Sequence, residues 1–455
     1  MVKGVAQIPR KKATQVHGGH ELVLNSSTTT VKPALPMHEH RLPLSNLDLL
    51  LPPLEVSVFF CYLDPAPTAA ALKEGLAKVL VAYYPLAGEV VANAAGEPEL
   101  LCSGRGVEFT EATAGDAVLR ELRLGMVDEG VEMLVPAKKA GVVSVQVTKF
   151  KCGGAVVGCT FDHRVCDAYS FNMFLVAWAA ASRDGSVPPV LSFSRSLVAP
   201  REPSPRTAST DALIERLFYP LSSTPLPPAS ASATAVNRIY HIAAADVAAL
   251  QASAGPGRTK LEAFTANLWQ LCSRAASARQ RRCSMGVVVD GRARMSPDGA
   301  MKAYFGNVLT IPYGVIGTDD LRGRMALADV ADDVHRWVRE AATCEHFRGL
   351  VDWVEALRPE PAAAMACTGG VEAMACIVSS GMRFPVGEAD FGTGIPVFAS
   401  YHFPWPAGAA YVMPMPSARG DGDWVVYVHA APELVKAIEE EPTVFKALQN
   451  SYVFG

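Results

Sequence analysis

A two-domain α/β protein is the fold class this chain predicts, and three observations carry the prediction. Its 455 residues exceed the size at which a single hydrophobic core stops growing, so two domains are the default. Runs of strand character and stretches of helical periodicity alternate irregularly on both sides of the middle. Between them, residues 184–235 are dense in proline, serine and alanine, too long for an ordinary loop, and read as a crossover linker. The expected division is a domain over 1–183, the linker over 184–235 and a second domain over 236–455. Hydrophobic residues at 50% supply two cores and exclude wholesale disorder.

The net charge of −4 gives no electrostatic reason to expect nucleic acid or an anionic membrane as partner. No apolar run reaches the ~18 residues of a bilayer span. Met1–Lys12 is basic but no apolar segment follows it, so it does not read as a secretory signal. Ten cysteines are spread singly with no Cys-x-x-Cys pair, which suits small buried hydrophobes in a reducing compartment. A cytoplasmic protein is expected.

In chain order, His20–Leu24 has strand character, and Asn25–Val31 looks loose. Leu44-Ser45-Asn46-Leu47-Asp48 leads into the Pro52-Pro53 break. Glu55–Tyr62, rich in Val and Phe, is a strand candidate. Thr68–Tyr83 is an amphipathic helix, with Leu72, Leu76, Val79, Leu80 and Tyr83 on one face, stopped by Pro85. Gly88–Ala92 and Pro98–Cys102 form a hairpin around Asn93–Gly96. Val142–Phe150 alternates, and Lys151–Gly154 turns it into the strand Ala155–Phe161. A helix follows with Phe171, Phe174, Leu175 and Trp178 on one face. The linker holds one short helix near Asp211–Phe218.

The second half opens with the strand Asn237–Ile242 and the helix Ala244–Ala252. Thr259 and Glu262 fit a capping box and set the next helix start. Cys283–Asp290 and Asn307–Tyr313 are strands, and Asp319–Cys344 is one long helix. Met374–Ser379, Pro396–Tyr401, Ala410–Met415 and Trp424–His429 are strands, and Pro432–Gln449 is a closing helix.

Chemistry is concentrated where the strand Ala155–Phe161 ends in Asp162-His163-Arg164, with Cys166 and Asp167 just beyond. A histidine at the end of a buried strand is held rigidly beside a cleft, yet the same spacing also fits a surface loop. Cys166 as a nucleophile lacks a second motif. A serine hydrolase lacks its Gly-x-Ser-x-Gly elbow, and a metal site from His163, Cys166 and Asp167 lacks further ligands. Gly255–Lys260 is no P-loop, but Arg258, Thr259 and Lys260 make a basic helix N-terminus that suits an anion, or else an exposed cap.

His163-Arg164-Val165-Cys166-Asp167 and Asp390-Phe391-Gly392-Thr393-Gly394 together resemble the plant BAHD family of CoA-dependent acyltransferases. That family carries His-x-x-x-Asp at this place and Asp-Phe-Gly-Trp-Gly towards the end. Tyr83–Glu89, Leu44–Asp48, Asp290–Arg294 and Tyr304–Asn307 match its other segments in order, over essentially the whole chain. The resemblance implies two similar chloramphenicol-acetyltransferase-like domains, mixed sheets flanked by helices, a long crossover loop and a channel at the interface. It implies acyl-CoA as co-substrate, with no permanently bound cofactor and no metal, and a monomer. It implies that His163 is the general base of direct transfer in a ternary complex. Asp167 then braces the loop by pairing with Arg292, or with Arg294 as second choice. Asp390 belongs to a structural motif, and Arg258, Thr259 and Lys260 hold a CoA phosphate.

Two departures from the family pattern stand out. Thr393 replaces the tryptophan of the C-terminal motif. Gly381 replaces a tryptophan that faces the reacting centre in many relatives, which leaves room or hands oxyanion support to Ser380 and predicts a wider acceptor pocket on that side. Phe398–Pro406, with Tyr401 and His402, and Pro36–His40 resemble the branch that includes coniferyl alcohol acyltransferases and hydroxycinnamoyltransferases. On that likeness His40, Ser380, Gly381, Tyr401 and His402 bind an aromatic or phenylpropanoid acceptor, and the donor is acetyl-CoA or a hydroxycinnamoyl-CoA. The alternative is a non-catalytic BAHD-like partner of fatty-acid elongation.

Overall fold

The computed structural model describes residues 22, 24–186, 191–202, 208–223, 235–367, 373–405 and 408–455. The basic Met1–Lys12, most of the expected strand at His20–Leu24 and parts of the expected linker at 184–235 lie outside the described residues.

Two mixed sheets dominate the fold. The first has six strands in the order 25–31, 107–113, 143–149, 155–162, 55–62 and 398–402. Only the 107–113/143–149 pair is parallel. Helices Ala69–Ala82 and Ala168–Arg183 pack against each other beside it. The second sheet has seven strands in the order 313–317, 282–287, 373–378, 410–416, 424–430, 236–242 and 446–447. The helix Lys260–Ala275 packs on it, flanked by Ala244–Ser253, Leu327–Ala341 and Pro432–Glu439. The buried apolar side chains form two clusters. The larger runs from the first sheet across the junction to residues such as Ile377, Tyr411 and Tyr427. The other fills the space between the second sheet and its helices.

The first sheet is not built from the first half alone. Phe398–His402 pairs antiparallel with the 55–62 strand, Tyr401 opposite Val58, so a late strand completes an early sheet. All five of its residues are buried.

Four local expectations need correction. Asn25–Val31 is an edge strand paired with 107–113 rather than a loose segment. Its polar, largely exposed threonines hide the apolar alternation of a half-buried strand, yet β-branched residues suit an edge, and Thr28 meets Thr110 hydroxyl to hydroxyl at 2.9 Å. The single helix over Asp319–Cys344 is three: Thr318–Gly323, Leu327–Ala341 and Cys344–Leu357. Caps interrupt the apolar period: Asp329 accepts from the Ala326 amide at 3.2 Å, and Thr343 accepts from the His346 amide at 3.1 Å. Asn307–Tyr313 is divided into Leu309–Thr310 and Tyr313–Gly317, with Pro312 between them. The closing helix ends at Glu439, short of Pro442, and the chain continues as a two-residue strand and a final turn of helix.

Candidate active site

The buried strand Ala155–Asp162 delivers His163 to the mouth of a large cavity. The His163 amide donates to the Leu54 carbonyl at 2.9 Å, so the backbone leaves the sheet in a fixed direction. Asp167 then caps the next helix, its Oδ1 accepting from the Ser170 amide at 2.9 Å. The short loop between strand and helix is thus fixed at both ends.

Asp167 faces a buried arginine rather than the imidazole. Arg292 Nη1 donates to Asp167 Oδ2 at 2.7 Å and Nη2 to Oδ1 at 3.1 Å, a bidentate pair. Arg292 also reaches Asp290 at 2.8 Å, the Ser170 hydroxyl at 2.9 Å and the Gly306 carbonyl at 2.8 Å, and lies 4.4 Å from the Tyr169 ring centre. Asp167 is 1% exposed and Arg292 5%, so neither charge is left to water. Arg294, the second choice for this partner, is exposed and lines the cavity instead.

The His163 ring has a different neighbour. Its Nδ1 lies 3.2 Å from Asn307 Oδ1. Enclosure pushes its pKa below the ordinary imidazole value, only partly offset by its own backbone, the carboxylates of Asp167 and Asp162, and the Asn307 contact. At neutral pH the ring is therefore uncharged. Phe403 stands edge-on 6.2 Å away, backed by Tyr411 at 4.3 Å and Trp405 at 5.5 Å. Cys166 is fully buried and burial pushes its thiol pKa well up, which keeps it from serving as a nucleophile.

The cavity has a volume of about 950 Å³ and draws walls from both halves, Leu50 and Leu54 on one side, Ile377 and Met413 on the other. Its acidic lining groups are all engaged: Asp167 and Asp290 with Arg292, Glu262 with His335 at 2.7 Å. Arg294, Lys302, Arg339 and Arg383 also line it, and none of the four forms an ion pair among the described residues. The cavity is therefore electropositive and suits an anionic ligand.

Among the residues expected to bind CoA, Thr259 lines the cavity. Its hydroxyl is engaged in the capping box with Glu262, whose carboxylate accepts from the Thr259 amide at 2.7 Å and adds negative charge at that helix end. Arg258 turns to Asp332 at 3.4 Å and Lys260 is exposed, both outside the lining. The four cations above were missed in the sequence because they come from separate segments.

Of the residues expected at the acceptor, only Ser380 lines the cavity. His40 is exposed on an outer strand against Tyr84. Tyr401 is buried within the first sheet, its hydroxyl accepting from Asn172 at 2.8 Å. His402 is buried beside Tyr427, and burial lowers its pKa to about 4. Nor does Gly381 open a wider pocket. A Cβ there would lie 2.7 Å from Met415 Cγ and 2.8 Å from Phe384 Cδ2, so these neighbours already fill the volume. Gly381→Trp is accordingly expected to lower the unfolding free energy through overpacking, by about 1–3 kcal/mol, and Phe384→Ala in the same chain should recover part of it. Denaturant unfolding of the single and double variants checks this.

Asp390 lies away from the cavity, where its Oδ1 accepts from the amides of Gly392 and Gly394 at 2.8 and 2.9 Å. Both glycines have φ of +101°, which a side chain would strain. Phe391 packs edge-on against Trp178 at 4.8 Å, and Thr393 is half-buried with its hydroxyl unpartnered among the described residues.

A histidine beside a cleft between two mixed sheets, a largely apolar cavity and four lining cations without an ion pair among the described residues suit an anionic ligand. The model of the Transferase family matches residues 23–444, and the chain belongs to this family, the plant BAHD acyltransferases, in its hydroxycinnamoyltransferase-like branch. It is a CoA-dependent acyltransferase. It is 28% identical to a hydroxycinnamoyltransferase of Narcissus pseudonarcissus, over 90% of this chain and 97% of that one. It is 30% identical to putrescine hydroxycinnamoyltransferase 3 of Oryza sativa subsp. japonica, over 88% and 92%. Among solved structures it resembles vinorine synthase, with a TM-score of 0.70 at 21% identity over 93% of this chain and 98% of that one.

Proposed function

We propose that the enzyme transfers a hydroxycinnamoyl group from its CoA thioester to the hydroxyl of an aromatic alcohol, with His163 as general base. The observation that carries the reading is His163 itself: an imidazole whose Nδ1 meets Asn307, on a cavity walled by Phe403, where burial disfavours the charged ring. The acceptor hydroxyl gives its proton to Nε2 as its oxygen attacks the thioester carbonyl. The tetrahedral intermediate then collapses, the C–S bond breaks, and the CoA thiolate takes the proton back from the imidazolium. Donor and acceptor are bound together and no acyl-enzyme forms.

Arg294, Lys302, Arg339 and Arg383 supply charge for the phosphates of CoA. The names of the relatives support a hydroxycinnamoyl donor, and the Phe403, Trp405 and Tyr411 rings suit a planar aromatic group. Although several relatives are named for putrescine, every acidic group lining this cavity already has a side-chain partner, Asp167 and Asp290 with Arg292 and Glu262 with His335, which disfavours a diamine. Ten unpaired thiols support work in the reducing cytosol, and the reading is of a single chain. Among the described residues no helix is long and apolar enough to cross a membrane.

The test crosses coumaroyl-, caffeoyl- and acetyl-CoA with coniferyl alcohol and putrescine. Hydroxycinnamoyl donors are expected to exceed acetyl-CoA in kcat/KM by about tenfold or more, which is about 1.4 kcal/mol of transition-state preference. Putrescine is expected to remain unacylated. Preferred use of acetyl-CoA, or efficient acylation of the diamine, would overturn the substrate assignment.

A further inference from the structure

Two segments distant in sequence, 44–48 and 304–307, meet beside His163. Asp48 and Asn307 are both fully buried. Asp48 Oδ2 accepts from the Ser45 amide at 2.8 Å and the Ser45 hydroxyl at 2.7 Å. Its Oδ1 accepts from the Asn307 amide at 2.7 Å and from Asn307 Nδ2 at 2.8 Å. Nδ2 also donates to the His163 carbonyl at 2.9 Å and faces the Arg164 carbonyl at 3.4 Å. Arg195 lies 3.5 Å from the same carboxylate and balances its charge.

A carboxamide has a donor end and an acceptor end. Turned over, Asn307 would set its oxygen against the Asp48 carboxylate and two backbone carbonyls, none of which can donate. Both oxygens of Asp48 are already acceptors, so the amide is held one way only. Asn307 Oδ1, 3.2 Å from His163 Nδ1, can then only accept. A neutral imidazole has one ring proton, and with that proton on Nδ1 the lone pair is on Nε2.

We propose that Asp48 is a positioning residue which, through Asn307, holds His163 in the tautomer whose Nε2 is the base. The inference rests on the reading of His163 as base, but the tautomer is measurable without turnover. In histidine labelled with nitrogen-15, the His163 signals are identified by their loss in His163→Asn. The wild-type enzyme, above the ring's titration, is expected to carry the proton on Nδ1. Asp48→Asn can present a donor to Asn307, so the tautomers should mix, with kcat falling about tenfold or more and KM for both substrates nearly unchanged.

A proton on Nε2 in the wild type overturns the proposal, as does an unchanged tautomer in Asp48→Asn. Should that variant not fold, Asn307→Ala removes the side-chain acceptor at Nδ1, and an unchanged Nδ1–H tautomer there also overturns it. The two readings fail separately. Turnover that survives His163→Asn removes the base assignment and leaves the tautomer result standing. Loss of turnover in His163→Asn combined with a wild-type Nε2–H tautomer keeps His163 essential but removes the role of Asp48 and Nε2 as the accepting atom.

Discussion

Replacing His163 with alanine is expected to lower kcat by about 10²- to 10⁴-fold, the range in which a positioned general base contributes. The unfolding midpoint should hardly move, because the ring makes one side-chain hydrogen bond and opens on the cavity. In the wild type, kcat/KM should fall on acidification with an apparent pKa below about 6.5, since burial lowers the pKa of this ring. The sign follows from the role: the neutral ring is the base, so activity is full above the lowered pKa and lost as pH drops through it. An alanine variant with wild-type turnover would show that some other group takes the proton.

Arg292→Leu should behave in the opposite way, with stability lost along with activity. The substitution leaves the buried Asp167 carboxylate without its bidentate partner and frees Asp290, the Ser170 hydroxyl and the Gly306 carbonyl. Breaking one side of such a pair costs about 3–5 kcal/mol. A clear fall in the denaturant midpoint is expected, with kcat falling too because the loop carrying His163 loses its brace. Asp167→Asn should fall in the same direction. Midpoints equal to that of His163→Ala would mean that the pair is not what holds the loop.

Legibility in the sequence followed physical type. Glu55–Tyr62 and Ala155–Phe161 could be read because buried strands are continuous apolar runs, and the Thr259–Glu262 cap because both partners lie within one turn. Asn25–Val31 escaped because an edge strand has no apolar signature. In the site, His163, Asp167 and Arg292 could be named because short motifs carry them. Asp48 and Asn307 lay in motifs as well, but 259 positions apart, and nothing in either segment says that one polar side chain orients the other. His40 and His402 were drawn in by a likeness of short segments to one branch of the family. Only the structure shows one on an outer strand and the other sealed under a sheet.

The late strand of the first sheet has a bearing on the birth of the molecule. During translation, the 55–62 strand emerges with its outer edge bare, and its neighbour at 398–402 follows only roughly 340 residues later. At ordinary ribosome speeds of about 5–20 residues per second, that interval is roughly 20–70 s. For this time Val58, Phe59 and Phe60 offer an open hydrophobic edge to any passing chain, the situation in which nascent proteins depend on chaperones. The same late strand brings Phe403 up to His163, so the newborn enzyme acquires its aromatic wall only when the sheet closes.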